Sequence, residues 1–183
     1  MDADYDKKIA ELKSKIKSYP DFPKKGILFW DIFSAISDGA TCRLLQGLLV
    51  DTVRSKFPGI EAVVGLESRG FLFAFSLAAE LGVGCLPVRK KGKLPGEVVA
   101  YKYDLEYGSD ILEIKKDSVH PGLKCLIVDD LIATGGSLSA AVSLLKTTGA
   151  EVSGCLAVLE LESLNGRKNI PEGIPVHSLI KYD

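Results

Sequence analysis

Residues 125–137, CLIVDDLIATGGS, run four apolar side chains into two adjacent aspartates and then into a Gly-Gly turn. Leu126, Ile127 and Val128 read as a strand buried within a sheet. GSLSAAVSLLKTTG, stopped by Gly149, reads as the helix that follows. A buried strand that leaves its sheet at Asp129 and turns tightly into a helix needs a parallel neighbour and a covering layer, so it dictates an α/β fold. Neighbouring carboxylates repel and paired glycines cost backbone entropy. Neither favours stability alone, which points to a ligand.

The remaining chain repeats the alternation. EAVVGLE is a strand ending near Gly65, SRGFLFAFSLAAELG a helix, CLPVRK a strand, EVSGCLAVLEL a strand and IPVHSLIKY a last one. VVAYKYDLEYGSDILEI alternates like two strands around Tyr107-Gly108, an inserted hairpin. Residues 90–100, rich in lysine and glycine, are expected to form a mobile loop. Upstream, Tyr5, Ile9, Leu12 and Ile16 fall on one face of a short helix. SYPDFPKKG reads as an irregular connector, ILFWDIF as mostly buried. Ser37 or Asp38 caps a helix over residues 39–56, with Leu44, Leu45, Leu48, Leu49 and Val53 inward. The fold expected is a doubly wound, mostly parallel α/β sheet with flanking helices, in a single domain over residues 1–183.

Composition narrows the function. A net charge of −1 gives no general attraction to nucleic acid, so any anion site must be a local cluster. Cys42, Cys85, Cys125 and Cys155 are scattered, and with His120 and His177 they make no zinc pattern. Free thiols fit a reducing compartment. MDADYDKKIAELKSK is charged and has no apolar core, and no run is long enough to span a membrane. The expected setting is the cytoplasm, with no membrane partner.

Ligands of such sheets sit beyond the carboxyl ends of the strands. The turn Ala133, Thr134, Gly135, Gly136, Ser137 arrives there and aims backbone N–H groups outward at the positive end of a helix. Gly135 and Gly136 are read as taking positive φ for close approach to an anion, with Thr134 and Ser137 adding hydroxyls. This is a phosphate cup, not a P-loop, because GxxxxGK[ST] is absent from the chain. Asp129 and Asp130 would repel a phosphate; they suit two adjacent hydroxyls or a divalent cation. Ribose 5-phosphate satisfies both ends. The plainer alternative is an acidic strand end followed by a helix cap.

IVDDLIATGGS resembles the phosphoribosyl pyrophosphate (PRPP) signature of the type I phosphoribosyltransferases. FPKKGILFWDI, GLESRGFLF, RKKGKLPGE and DLEYG are similar to the adenine branch of that family, in its order, from about residue 20 onward. The resemblance implies transfer of phosphoribose from PRPP to adenine, giving AMP and pyrophosphate, with Mg2+ bound mainly through PRPP near Asp129 and Asp130. It implies that Ser68, Arg69, Arg89, Lys90 and Lys93 meet pyrophosphate, and that Glu67–Ser68 is a cis peptide. A loop shared across subunits implies a homodimer. Glu106 becomes the acid/base group, with Tyr107 beside it. Residues 1–35 become the N-terminal helix and base-side hood; Phe29 would stack on adenine opposite Leu131, and backbone groups of Leu28 and Trp30 would read its edge. Trp30 stands where many members carry arginine. Read without the resemblance, Arg69 is equally a surface ion pair, Phe29 and Trp30 are core, and Lys91 is simply solvated. His120 has no assigned role, and His177 is read as structural.

Two other functions compete. One is a non-catalytic PRPP-binding regulator, which needs a basic DNA-binding appendage that a net charge of −1 and about 20 leading residues do not offer. The other is a sibling transferase for xanthine, orotate or another base, separated only by its base pocket.

Overall fold

The computed structural model describes residues 3–104 and 109–183. Within this span the chain divides into two compact units, one up to residue 53 and one from residue 54 onward.

The first unit opens with α1 (Ala3–Lys15), whose Leu12 is fully buried. SYPDFPKKG is more ordered than its prolines suggest. β1 (Lys17–Pro20) pairs antiparallel with β2 (Leu28–Asp31), Tyr19 opposite Phe29, and the turn between them contains a cis Phe22–Pro23 bond. Pro20 sits at the strand end and Pro23 in the turn, where a missing N–H costs no ladder bond. The expected burial of ILFWDIF fails. Ile27, Leu28 and Phe33 are 44%, 46% and 47% exposed, and only Ile32 is buried. A two-stranded ribbon has too few neighbours to cover its apolar side chains. Asp31 caps the short α2 (Ile32–Ile36) by accepting from the Phe33 N–H. Asp38 caps α3 (Gly39–Lys56) by accepting from both the N–H and the hydroxyl of Thr41. Leu45, Leu48, Leu49 and Val53 point inward as the periodicity demands, whereas Leu44 is only half-buried.

The second unit is built on a seven-stranded sheet in the order β5-β6-β4-β3-β7-β8-β9. β3 (Ala62–Leu66), β4 (Gly84–Lys90), β7 (Lys124–Ile132), β8 (Glu151–Leu161) and β9 (Val176–Tyr182) are parallel. β5 (Val98–Asp104) and β6 (Ser109–Lys115) pair antiparallel with each other, and β6 pairs antiparallel with β4. These two strands are the expected hairpin arms; its tip, Leu105 to Gly108, lies outside the described residues. Alternation along the strands builds two layers. Ala62, Val64 and Leu66 join the core beneath α5 (Gly136–Thr147). Gly65 faces the other way, where an added Cβ would stand 2.7 Å from Ala74 of α4 (Gly70–Leu81). Helices therefore cover both faces, the doubly wound arrangement expected.

The order places β3 between β4 and β7. The chain leaves β3 toward β4 through α4 and leaves β7 toward β8 through α5, in opposite directions. Their adjacent carboxyl ends form the crevice where such sheets bind ligands.

Candidate active site

Three segments meet at that crevice: residues 67–69 after β3, residues 89–93 at the end of β4, and residues 129–137 at the end of β7. Pairing of β3 with β7 stops at Val128, but β7 does not leave the sheet at Asp129 as expected. β8 is long enough to keep it paired to Ile132, with Asp129 opposite Ala157 and Leu131 opposite Leu159. The two aspartates thus sit in a strand with one open edge, and strand alternation separates them. Asp129 borders the cup, while Asp130 is 6% exposed and accepts from Arg69 Nε at 2.8 Å. Burial pushes the Asp129 carboxyl well above the usual range, and the charge of Asp130 beside it adds to that. A cation or a hydrogen-bond donor brought to Asp129 would relieve both. Gly70 allows this closeness: a Cβ there would stand 2.8 Å from the Val128 carbonyl and 3.0 Å from Asp129 Oδ1.

Beyond β7 the chain closes into the cup. Asp129, Leu131 and residues 133–138 line a cavity of about 80 Å³. Gly135 caps α5 in the left-handed region at φ 78° and, being glycine, brings no side chain to the first N–H groups of the helix. These are the groups a phosphate would accept from. Of the paired glycines only Gly135 takes positive φ; Gly136 is already helical. Thr134 and Ser137 are exposed, as hydroxyl donors to a ligand should be.

The cations are gathered by acids that sequence reasoning passed over. Glu67, in the expected cis Glu67–Ser68 bond, accepts from Arg89 Nε and Nη2, from Lys93 Nζ and from the Lys90 N–H. Lys90 Nζ pairs with Asp110 at 2.8 Å. Arg89 and Lys93 are thus placed together next to Ser68, and Arg69 lies two residues beyond Glu67. Residues 91–97 link β4 to β5 and include the exposed Lys91 and Lys93; Lys93, like Arg89 at the end of β4, is engaged with Glu67. The signal that could have found Glu67 was its position: an acid just past a buried strand end, facing a cationic loop, will pair with it.

Burial alone would raise the Glu67 pKa, but donation from Lys93, Arg89 and the Lys90 amide outweighs it and brings the value down to about 2. A depressed carboxylate stabilises the fold above its ordinary pKa, and that contribution is lost as pH falls from about 4.5 towards 2. Glu67→Gln is therefore expected to cost on the order of 1–3 kcal/mol at neutral pH. Thermal melts of both proteins across pH check this: the gap in Tm should close on acidification, and a gap that stays constant would contradict the assignment.

On the first unit, Tyr19, Phe22, Phe29, Asp31 and Phe33 line a mostly apolar cavity of about 390 Å³. Phe29 meets Phe22 edge to face at 5.1 Å. Alternation in β2 puts Phe29 and Asp31 on this side and Leu28 and Trp30 on the other. Of the expected base-side residues, only Phe29 lines the cavity; Leu131 belongs to the second unit. Glu106 and Tyr107 lie outside the described residues. His177 is held neutral, its pKa lowered by burial to about 4, in keeping with a structural place in β9.

The family model of the phosphoribosyl transferase domain matches residues 35–172. An adenine phosphoribosyltransferase of Drosophila pseudoobscura pseudoobscura is 55% identical over 175 residues, covering 96% of each chain. The chain belongs to the adenine branch of the phosphoribosyltransferase family. The human adenine phosphoribosyltransferase is 45% identical over 97% of this chain and 99% of its own. Among solved structures, that of the Saccharomyces cerevisiae adenine phosphoribosyltransferase is similar with a TM-score of 0.91 and 42% identity, over 96% of this chain and 99% of the other. It is complexed with D-2,5-dideoxy-2,5-imino-altritol 1,6-bisphosphate and adenine. The doubly wound sheet expected from the strand–helix alternation is observed, and it is the type I phosphoribosyltransferase fold that the resemblance implied, with the GLESRGF, RKKGKLPG and IVDDLIATGGS segments at the three strand ends.

Proposed function

We propose that this protein transfers the 5-phosphoribosyl group of PRPP to adenine, giving AMP and pyrophosphate in purine salvage. The observation that carries this is the cup: the start of α5, a left-handed Gly135 and the Asp129 carboxylate converge on one cavity of about 80 Å³ at the switch point. The yeast relative bound to adenine and an imino-sugar bisphosphate supports the choice of base and sugar phosphate.

In this reading residues 1–183 act as one domain, with residues 1–35 on the base side. The 5-phosphate takes the N–H groups and hydroxyls of residues 133–137. The ribose hydroxyls take Asp129, with Asp130 holding Arg69 in place beside it. Ser68, Arg69, Arg89, Lys90 and Lys93 meet the pyrophosphate. For Arg89 and Lys93 this means exchanging Glu67 for phosphate oxygens, a swap between anions that leaves neither cation buried and unpaired. On the first unit, Phe29 offers a ring face to adenine and the Leu28 and Trp30 backbone groups read its edge; on the second, Leu131 is the base-side residue.

The reaction forms a bond from adenine N9 to the anomeric carbon and breaks that carbon's bond to pyrophosphate oxygen. The base's proton passes to Glu106, and in the reverse direction returns from it. The transition state has oxocarbenium character, so cations facing the departing oxygens lower its energy. Mg2+ brought with PRPP would offset the diphosphate charge. Asp129 and Asp130 fit a neighbouring divalent ion, since each accepts and neither donates when ionised. Among the described residues no three acids, histidines or cysteines gather to hold a metal unaided, which suits an ion held mainly by PRPP.

The protein acts as a homodimer in the cytoplasm. Its four cysteines are free thiols, and Leu72 and Phe75 of α4 are 51% and 70% exposed, apolar area that a second subunit would cover. No helix of the described residues is long and apolar enough to cross a membrane.

The test is incubation with PRPP, magnesium and a panel of adenine, hypoxanthine, guanine, xanthine and orotate. AMP from adenine alone is expected. Another nucleotide as main product would reassign the base, and no nucleotide at all would remove the transferase reading.

A further inference from the structure

Behind the phosphate cup stands a segment to which neither the sequence motifs nor the reaction gives a task. Two short 3-10 turns, Glu162–Leu164 and Gly166–Asn169, follow β8 and are joined at Asn165, which adopts φ 51°. The second turn touches the cup through bare backbone. A Cβ on Gly135 would stand 2.1 Å from the Gly166 carbonyl oxygen, and one on Gly166 would stand 2.2 Å from the Ala133 carbonyl oxygen. Real Cβ contacts are never this short, so both glycines are needed for the two strips of chain to lie together.

Side chains lock this arrangement at both ends. Arg167 donates from Nε and Nη2 to the two oxygens of Glu160, each at 2.6 Å, from Nη2 to Ser178 Oγ and from Nη1 to the Val176 carbonyl. Glu160 is 4% exposed and, in β8, lies opposite Ile132 of β7, the residue that leads into the cup. The fork thus ties the turn to the two strands β8 and β9 by a bidentate, charge-assisted pair. At the other end Asn169 Nδ2 donates to the Thr134 carbonyl at 2.8 Å.

We infer that residues 162–169 are a brace that sets the shape of the cup, and that Asn169 and Arg167 are positioning residues for the 5-phosphate. The reason lies in the planar peptide. The Thr134 carbonyl and the Gly135 N–H belong to one rigid unit and point in opposite directions. A donor that pins the carbonyl also pins the amide, so Asn169 fixes the direction of one N–H that the cup presents. Without it the unit can rotate, and part of the binding energy is spent on reordering it. Arg167 holds the turn that carries Asn169, and so acts one step further back.

This inference rests on the reading of the cup as the 5-phosphate site. Asn169 is exposed, so its side chain is not part of the core, which makes it the residue to change. Asn169→Ala and the isosteric Asn169→Asp are compared with the natural protein by calorimetric titration with ribose 5-phosphate and by steady-state kinetics. Loss of one hydrogen bond should raise the Kd for ribose 5-phosphate and the KM for PRPP roughly fivefold to tenfold. Asn169→Asp, which sets a carboxylate against the carbonyl and near the phosphate, should do at least as much. Melting temperature and the KM for adenine should stay put, a split that general loosening would not produce. Kd values within twofold of the natural protein for both variants, in an enzyme that makes AMP normally, would overturn the brace while leaving the proposed function intact. A natural protein that bound no ribose 5-phosphate would remove the reading of the cup, and the inference with it.

Discussion

Gly135→Ala is expected to lower kcat/KM for PRPP by at least roughly 100-fold, equivalent to about 2.7 kcal/mol of transition-state stabilisation. Two costs add. Alanine in the left-handed region costs roughly 1–2 kcal/mol, and Gly135 sits at φ 78°. Its methyl would also stand 2.1 Å from the Gly166 carbonyl oxygen, and that backbone is tied down by the Arg167–Glu160 pair. Neither strip can yield without moving the turn proposed to hold the phosphate. Gly136→Ala is the control for folding. Gly136 is helical, and its Cβ would meet nothing nearer than Thr134 Oγ1 at 3.9 Å. Its melting temperature should therefore match the natural protein, while that of Gly135→Ala should drop. Kinetics of Gly135→Ala within threefold of the natural protein would mean that the cup's backbone does not hold the substrate.

Glu106→Ala is expected to reduce kcat by roughly 10²–10⁴-fold, the usual cost of losing a general acid/base group. Its assignment follows from the DLEYG resemblance, so kinetics must carry the proof. The cup and the cationic loop are left intact by this change, so ribose 5-phosphate should bind as before. Glu106→Gln should fail to the same extent, since it keeps the shape and loses the proton acceptor. Turnover near the natural level in either variant would take Glu106 out of the mechanism.

How far the sequence reaches can be read from particular residues. The buried run ahead of Asp129 and the two flanking strand–helix pairs led directly to the doubly wound sheet, because burial on both faces leaves a strand few other homes. The Gly135 turn was legible for a local reason: a left-handed glycine before a helix start has its own signature. What escaped was set by tertiary pairing. β7 runs on to Ile132 because β8 extends far enough to meet it, and nothing in DDLI announces the length of a partner strand. Asp129 and Asp130 looked equivalent in the sequence; alternation along that extra length sent one toward the cup and the other to Arg69. Glu67 was read as part of a loop, yet it collects Arg89 and Lys93 from 22 and 26 residues away. ILFWDIF has core composition, but its place in a two-stranded ribbon leaves Leu28 and Phe33 exposed and lends Phe29 to a cavity. Local chemistry was written in local residues, whereas charge partners and burial depended on which distant strand came to lie alongside.

If the bend after β7 holds a sugar phosphate by both ends, a crystal of the protein soaked with ribose 5-phosphate will show the ligand there. Density for the phosphate is expected against the N–H groups of residues 134–137, with the ribose hydroxyls reaching Asp129. A ribose 5-phosphate lodged elsewhere on the protein, with the bend bearing no ligand, would contradict it.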